Sequence, residues 1–162
     1  MNIRHAKIDD VKELARIEGI SYPAAEGASK ESIGKRVQAF PEHFWLLEED
    51  GKILSFINGM VTNVRDLTDA MYDDVDLHDE NGAWQMIFSV VTDPVSRGRG
   101  CAGRVMRQVI ADAKAQGRYG VVLTCKEHLL PFYSRFGFIN EGKSQSEHGG
   151  VIWYQMRLEF RK

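Results

Sequence analysis

The stretch SRGRGCAGR, residues 96–104, decides how the chain is interpreted. Read from Gly98, it spells G-x-G-x-x-G, the fingerprint of dinucleotide-binding domains. Read from Arg97, it spells R-x-x-G-x-A, a pattern of a different phosphate-bearing cofactor. In both cases a strand leads into a glycine turn and a helix follows, so bare N–H groups and the positive end of the helix dipole face an anion. Glycines let a phosphate approach the backbone without meeting a Cβ.

The surrounding sequence argues against the dinucleotide fingerprint. That fingerprint needs an acidic residue about twenty positions on, at the end of the next strand, where it holds a ribose. Leu123, Thr124 and Cys125 stand there instead. The turn also carries four nearby arginines, more positive charge than a plain structural turn requires. They are Arg97, Arg99, Arg104 and Arg107. The residues therefore predict an anion-binding turn of the R-x-x-G-x-A type.

The composition limits the classes of protein that fit. A chain of 162 residues is expected to form a single domain, residues 1–162. Its net charge of −2 disfavours general nucleic-acid binding. No apolar run is long enough to span a bilayer, and the first residues lack the apolar core of a signal peptide. The two cysteines and five histidines show no metal-ligand spacing, so we expect no metal and a reduced, cytoplasmic setting.

Hydrophobic periodicity predicts an α/β (α+β) fold. The pair Asp50-Gly51 between two apolar runs predicts a tight hairpin. Asp9 or Asp10 and then Ser29 are expected to cap two early helices, and Gly117 to end a helix that follows the glycine turn. The remaining predicted elements are strands over 2–8, 84–92, 119–125, near 138 and 152–160, and a short helix over 128–135.

An acidic insert occupies residues 64–82 and contains seven carboxylate side chains. A calcium-binding loop would need a glycine at its sixth position, which is missing here. The insert is therefore predicted to be a solvated acidic loop.

Three segments resemble one enzyme family. VVTDPVSRGRGCAGRVM, residues 90–106, resembles the acetyl-coenzyme A motif of the GNAT acetyltransferase superfamily, with Arg97, Gly100 and Ala102 at its fixed positions. YPAAEGAS, residues 22–29, and LTCKEHLLPFYSRFGF, residues 123–138, are similar to the arylalkylamine N-acetyltransferase branch. The resemblance implies a GNAT-like mixed, mostly antiparallel central sheet flanked by about four helices.

The resemblance also implies roles for individual residues. Acetyl-coenzyme A would be the co-substrate, without a metal. Backbone groups of Val90, Val91 and Thr92 would pair with its pantetheine arm as an added strand. Tyr133 would protonate the departing thiolate, and Tyr22, Pro23 and Glu26 would shape the amine pocket. The pyrophosphate would be held by Arg97, Gly98, Arg99, Gly100, Cys101, Ala102 and Gly103.

The chain departs from the arylalkylamine pattern at two positions. That branch carries two histidines on the strand before the glycine turn, and Met86 and Phe88 stand there in this chain. Neither can carry a proton, so the amine's proton would leave through water, Glu26 or a histidine elsewhere, unless the amine enters neutral. His128 is expected to be a surface residue. Cys125 is expected to be a buried structural cysteine rather than an acyl carrier.

The sequence thus predicts an acetyl-coenzyme A-dependent N-acetyltransferase whose acceptor is a small primary amine, of arylalkylamine or polyamine type, attacking directly in a ternary complex. Two alternatives stay open: acetylation of a protein or peptide amino group, and a sensor that binds the cofactor without turnover. Homodimerisation also stays open.

Overall fold

The computed structural model describes residues 1–146 and 148–160, so the predicted domain limit at residue 162 lies outside the described residues. The chain forms two compact units, Met1–Gly59 with Ser89–Val109 and Met60–Phe88 with Ile110–Lys162. They are called unit 1 and unit 2. No helix in the described part of the chain is long and apolar enough to cross a membrane.

Unit 1 contains an antiparallel four-stranded sheet. Its elements in chain order are β1 (Asn2–Arg4), α1 (Val11–Ser21), α2 (Lys30–Ala39), β2 (Phe44–Glu49), β3 (Lys52–Asn58) and β6 (Ser89–Thr92), and helix α4 (Cys101–Ala115) begins here. The strand order is β1-β2-β3-β6. The predicted hairpin is confirmed: Glu49 pairs with Lys52, and Asp50 and Gly51 have φ values of 53° and 76°.

The predicted helix caps of unit 1 are half right. Ser29 caps α2, since its side chain accepts a hydrogen bond from the Ser32 N–H. Asp10 occupies the N-cap position of α1, but its carboxylate makes no capping hydrogen bond and accepts instead from the Lys7 N–H and the Arg4 guanidinium. The helices bury their apolar stripes, with Leu14 and Ile17 of α1 fully inaccessible to solvent.

Unit 2 contains a mixed five-stranded sheet. Its elements are β4 (Val61–Thr62), α3 (Asp69–Asp73), β5 (Trp84–Ile87), β7 (Gly120–Cys125), α5 (Leu130–Ser134), β8 (Ile139–Lys143) and β9 (Tyr154–Glu159). The strand order is β4-β5-β7-β9-β8, with β5 and β7 parallel and the other neighbours antiparallel. A mixed α+β fold is thereby confirmed, with five α-helices in the described residues.

The structure corrects four predictions made from the sequence. The first strand is Asn2–Arg4, shorter than the predicted 2–8, and a 3-10 turn occupies Ile8–Asp10. The single strand predicted over 84–92 is two strands, β5 and β6, which belong to different sheets and are separated by Phe88. The last strand is shorter than predicted, because Ile152 precedes β9 and is exposed. The insert 64–82 is not simply a solvated loop, since it forms α3 and buries Leu67 and Met71, although most of its carboxylates are exposed.

Candidate active site

The glycine turn of unit 1 connects β6 to α4. Asp93 starts a short 3-10 turn, Pro94–Ser96, after which the chain reaches α4 at Cys101. Gly98 and Gly100 have φ values of 81° and 71°, in the left-handed region that favours glycine. A Cβ at either position would meet no atom of the chain within 4 Å. The positive φ values therefore favour glycine at both positions, whereas crowding within the chain does not require it.

The backbone N–H groups of this turn are left free. From Gly98 to Gly103, none of the six N–H groups donates to an acceptor within residues 1–146 and 148–160. The first helical donor is the Arg104 N–H, which bonds to the Gly100 carbonyl at 3.1 Å. The first turn of α4 contains no acidic side chain, and Arg97 and Arg99 are exposed beside it. Such a helix start favours an anion.

Ion pairs hold both sides of the turn. The Asp93 carboxylate accepts hydrogen bonds from the Val95 N–H at 3.3 Å and from the Arg16 guanidinium of α1 at 2.7 Å. The hydrogen bond from Arg16 holds the pKa of Asp93 below its ordinary value. Further along, Arg99 pairs with Glu49 at the end of β2 at 3.0 Å. The turn is therefore fixed to α1 and to the β2–β3 hairpin.

Strand β6 lies at the edge of its sheet and presents main-chain groups there. The Asp93 N–H bonds to the Leu54 carbonyl, so by the antiparallel alternation Val91 directs its backbone groups toward β3. Val90 and Thr92 direct theirs away from β3. The prediction that Val90, Val91 and Thr92 pair with a pantetheine arm stays a prediction; in this register, Val90 and Thr92 are the two whose main-chain groups face outward.

The loop after α1 reaches the same edge. The Tyr22 hydroxyl lies 3.4 Å from the Val90 carbonyl, to which it donates. The Pro23 carbonyl accepts from the N–H groups of Glu26 and Gly27 and closes a tight turn. Glu26 is half-buried. The structure thus places Tyr22 against β6 and holds Pro23 and Glu26 in the turn that follows.

A buried polar chain behind β6 escaped sequence analysis. The Glu18 carboxylate of α1, 3% exposed, accepts from the Ser89 hydroxyl and from the Ala28 N–H, each at 2.9 Å. Ser89 accepts from Asn58 at 2.6 Å, and Asn58 accepts from the Arg36 guanidinium at 3.1 Å. These contacts connect the loop after α1, strand β6 and helix α2. The one sequence signal was the position of Glu18 on the apolar stripe of α1.

In unit 2, the predicted catalytic tyrosine lies in α5, the helix after β7. The Tyr133 side chain is 6% exposed, and its ring meets Phe132 at 5.0 Å and Phe138 at 6.0 Å, both edge-on. His128, in the turn before this helix, is exposed, as predicted. The role of Tyr133 stays a prediction.

Cys125 is a buried structural cysteine, as the sequence favoured. It ends β7, and its thiol lies 3.7 Å from the Met156 sulfur. Burial raises the pKa of the Cys125 thiol to about 11. At neutral pH the thiol therefore stays protonated and is a poor nucleophile.

Met86 and Phe88, at the positions of the two histidines of the arylalkylamine branch, differ in exposure. Met86 is fully buried in β5, whereas Phe88 is half-exposed and packs against Tyr72 at 4.8 Å between ring centres. Neither position offers a proton carrier.

Comparison with known proteins identifies relatives of this chain. A family model described as the acetyltransferase (GNAT) domain matches residues 16–160. Glucosamine 6-phosphate N-acetyltransferase 1 of Oryza sativa subsp. japonica is 38% identical over 55 residues, which are 34% of this chain and 33% of that protein. A second, probable glucosamine 6-phosphate N-acetyltransferase of the same plant is 42% identical over 56 residues, 35% of this chain and 34% of that protein. The chain thus spans about a third of the length of the curated relatives it matches.

Solved structures agree on the fold. The GNAT-like decarboxylase GphF, in complex with isobutyryl-CoA, has a TM-score of 0.86 at 19% identity, covering 99% of this chain and 100% of that one. The loading GNATL domain of CurA from Lyngbya majuscula has a TM-score of 0.83 at 19% identity, covering 98% of this chain and 96% of that one. At this level of identity the likeness concerns the fold.

Proposed function

The chain belongs to the acetyltransferase (GNAT) domain family, and on that basis we propose that it transfers an acetyl group from acetyl-coenzyme A to a primary amine of a small molecule. The observation that carries the proposal is the run of six N–H groups from Gly98 to Gly103, at the start of α4, that donate to no acceptor in the described part of the chain. The family match extends through segments of both compact units, which supports a single acetyltransferase domain.

The glycine turn fits the diphosphate of the cofactor. A diphosphate carries two negative charges on oxygens that accept hydrogen bonds, and the turn offers donors without a competing carboxylate in the helix's first turn. The exposed side chains of Arg97, Arg99 and Arg104 add positive charge. Because Gly98 and Gly100 leave open space where a Cβ would stand, phosphate oxygens can approach the backbone closely.

The edge of β6 fits the amide-bearing arm of the same cofactor. Pantetheine contains two amides in an extended chain, which can bond to a sheet edge as a further strand does. Val90 and Thr92 provide the outward N–H and C=O groups in the register described above. The same strand leads directly into Asp93 and the glycine turn, so arm and diphosphate follow one another along the chain.

The reaction itself is aminolysis of a thioester. The neutral amine forms a C–N bond to the acetyl carbon, the C–S bond breaks, and the thiolate leaves. We propose that Tyr133 gives its phenolic proton to that sulfur, since a phenol of pKa near 10 matches a thiolate of similar basicity. An alkylammonium like that of lysine is neutral in only roughly one molecule in 2,500 at pH 7. A route for its proton, through water or Glu26, therefore helps the reaction.

For the acceptor we propose a small amine of arylalkylamine or polyamine type. The plant relatives carry names that specify glucosamine 6-phosphate, which is also a small primary amine. That likeness supports a small-molecule acceptor in preference to a protein or peptide amino group. Tyr22, Pro23 and Glu26 are the residues of unit 1 that we assign to the amine pocket.

A second candidate function is a cofactor-binding sensor without turnover. It is favoured by Met86 and Phe88, because these side chains cannot relay the proton that two histidines carry in the arylalkylamine branch. Release of free thiol from acetyl-coenzyme A, measured with a panel of amines, separates the two functions. Amine-dependent thiol release supports the enzyme, and cofactor binding without release for every amine supports the sensor.

The role of Tyr133 is tested by Tyr133→Phe. We expect a lower kcat and a nearly unchanged affinity for acetyl-coenzyme A, since the variant removes only the proton donor. Phe132→Leu is the control, because it alters the aromatic contact of Tyr133 while keeping the hydroxyl. An unchanged kcat in Tyr133→Phe would remove this residue from the mechanism.

A further inference from the structure

The acidic insert is anchored to one face of the sheet of unit 2. Arg157 of β9 is 3% exposed and donates to the Arg65 carbonyl at 2.8 Å and to the Asp66 carboxylate at 2.7 Å. The Leu67 N–H donates to the Gln155 side chain at 3.2 Å. The buried guanidinium and the adjacent amide thus fix the first residues of the insert on β9.

This anchorage places Tyr72 of α3 beside strand β7. Its hydroxyl lies 3.3 Å from the Thr124 hydroxyl on β7. One side of its ring packs against Phe88, and the ring stacks on His148 with 5.0 Å between centres and 12° between planes. Trp153 donates its indole N–H to the His148 carbonyl at 2.6 Å and lies 6.1 Å from the His148 ring. We call Tyr72, Phe88, His148 and Trp153 the aromatic cluster.

The aromatic cluster lies where parallel strands end. Strands β5 and β7 are parallel, Phe88 directly follows β5, and Thr124 is the penultimate residue of β7. In sheets with parallel strands, ligands bind beyond the carboxyl ends. Helix α5, which carries Tyr133, also follows β7. Tyr72, Phe88 and His148 are half-exposed, so part of their surface is open to a ligand.

The charges around Tyr72 select among ligands. Asp69 and Asp73 lie three residues before and one residue after Tyr72 in α3. Arg157 pairs with Asp66 and Glu141, and Arg65 pairs with Glu141. Lys126 lies over Trp153, 5.9 Å from the ring centre, at the other end of the aromatic cluster. The end of the aromatic cluster at Tyr72 therefore favours a cationic ligand over a phosphate.

We propose that the aromatic cluster binds the carbon frame of the acceptor, and that the acceptor is a primary amine carried on an aromatic ring, with Tyr72 as the specificity-determining residue. The proposal rests on the acetyltransferase function proposed above. An aromatic ring packs against the partly exposed rings of the cluster, while the ammonium is attracted both by these rings and by the carboxylates of α3. A linear polyamine offers no ring to stack, and a sugar phosphate brings two negative charges toward Asp69 and Asp73.

The test compares three amines: phenethylamine, putrescine and glucosamine 6-phosphate. We expect the wild type to have a smaller kcat/KM for putrescine than for phenethylamine. In Tyr72→Leu, kcat/KM for phenethylamine should fall about 2- to 12-fold, the range for an aromatic pair. The kcat/KM for putrescine and the Kd of acetyl-coenzyme A should stay unchanged. Tyr72→Phe, which keeps the ring and loses the contact with Thr124, should retain most of the preference.

The matched control is Tyr119→Leu. Tyr119 also packs edge-on against an aromatic side chain, Trp84, but directly before β7 begins, at the opposite end of the strand, and it is 45% exposed. We expect no change in the preference among amines. A second cluster variant, His148→Ala, removes the stacked ring from a turn outside the sheet, and we expect it to lower kcat/KM for phenethylamine selectively as well.

A binding measurement separates failure of this inference from failure of the proposed function. Calorimetry of phenethylamine with protein saturated with coenzyme A, which has no acetyl group to transfer, reports the amine site without turnover. Tighter binding of phenethylamine than of putrescine, weakened by Tyr72→Leu, supports the site even if no amine releases thiol. Equal losses of affinity for all amines, or unchanged affinity for phenethylamine in Tyr72→Leu and His148→Ala, would overturn the aromatic site. Amine-dependent thiol release by the wild type would still support the acetyltransferase function.

Discussion

Replacing one glycine of the turn tests whether it binds the cofactor. Gly100 and Gly117 have φ values of 71° and 79°, and a Cβ at either would meet no atom within 4 Å. They stand at opposite ends of the same helix, α4: Gly100 directly before Cys101, and Gly117 just beyond Ala115. Gly100→Ala and Gly117→Ala therefore impose the same backbone strain, and only the first is placed where we propose a diphosphate.

The strain sets the expected loss of stability. An alanine held in the left-handed region costs about 1–2 kcal/mol. For a chain of 162 residues, 1 kcal/mol lowers Tm by about 2–4 °C. Each variant should therefore melt about 2–8 °C below the wild type. Because neither Cβ meets a neighbour, we expect no additional steric cost and nearly equal values for the two variants.

The cofactor should distinguish the variants. At Gly100 the alanine Cβ enters the space for the phosphate, and relaxation of φ turns an N–H donor away. Loss of one hydrogen bond to a charged group corresponds to about 1.5–3 kcal/mol, which is about 10- to 150-fold in Kd. Gly117→Ala should bind acetyl-coenzyme A like the wild type. Calorimetric titration gives Kd, and thermal melts give Tm. Equal Kd values for Gly100→Ala and Gly117→Ala would refute the diphosphate site.

Three further predictions concern buried or paired groups. In Glu18→Gln, the amide NH2 faces groups that donate hydrogen bonds to the wild-type carboxylate. The free energy of unfolding, measured by denaturant titration, should therefore fall by about 1–3 kcal/mol. An unchanged value would show that the buried polar chain does not stabilise the fold. Since the hydrogen bond from Arg16 lowers the pKa of Asp93, its stabilisation is present above the unfolded pKa and lost as pH falls through the lower folded one. The Tm gap between wild type and Asp93→Asn should thus close on acidification below about pH 4, and a gap independent of pH would contradict this. With a pKa of about 11, the Cys125 thiol is ionised in about one molecule in 300 at pH 8.5. Its alkylation, followed by peptide mapping, should therefore be more than about a hundredfold slower than that of the free amino acid cysteine. Rapid alkylation would show that the thiol is accessible.

Local signals in the sequence were enough to predict the elements whose ends are set by turns and helix caps. Asp50-Gly51 places two residues with positive φ in one tight turn, and Ser29 satisfies the start of α2 within three residues. The glycine turn was equally readable, because its conformation depends on Gly98 and Gly100 themselves. In each case the physical cause lies within a few residues of its effect.

Contacts between distant segments could not be predicted from local sequence. The partner of Glu18 is Ser89, 71 positions away, and the partner of Tyr72 is Thr124, 52 positions away. A run of apolar residues over 84–92 gave no sign that the chain changes sheets at Phe88. The composition of the insert showed its charge but not its anchor, because the buried Arg157 lies 91 positions from its partner Asp66. Such pairings depend on the assembled sheet.

The most direct measurement of the central claim is a titration of isotopically labelled protein with acetyl-coenzyme A, followed by amide NMR. The claim is that the main-chain hydrogens of residues 98–103 bind the cofactor's diphosphate. We predict that these six amides show the largest shift changes and become protected from exchange with water. Saturable binding that leaves these amides unchanged, with the affected signals elsewhere, would contradict the account.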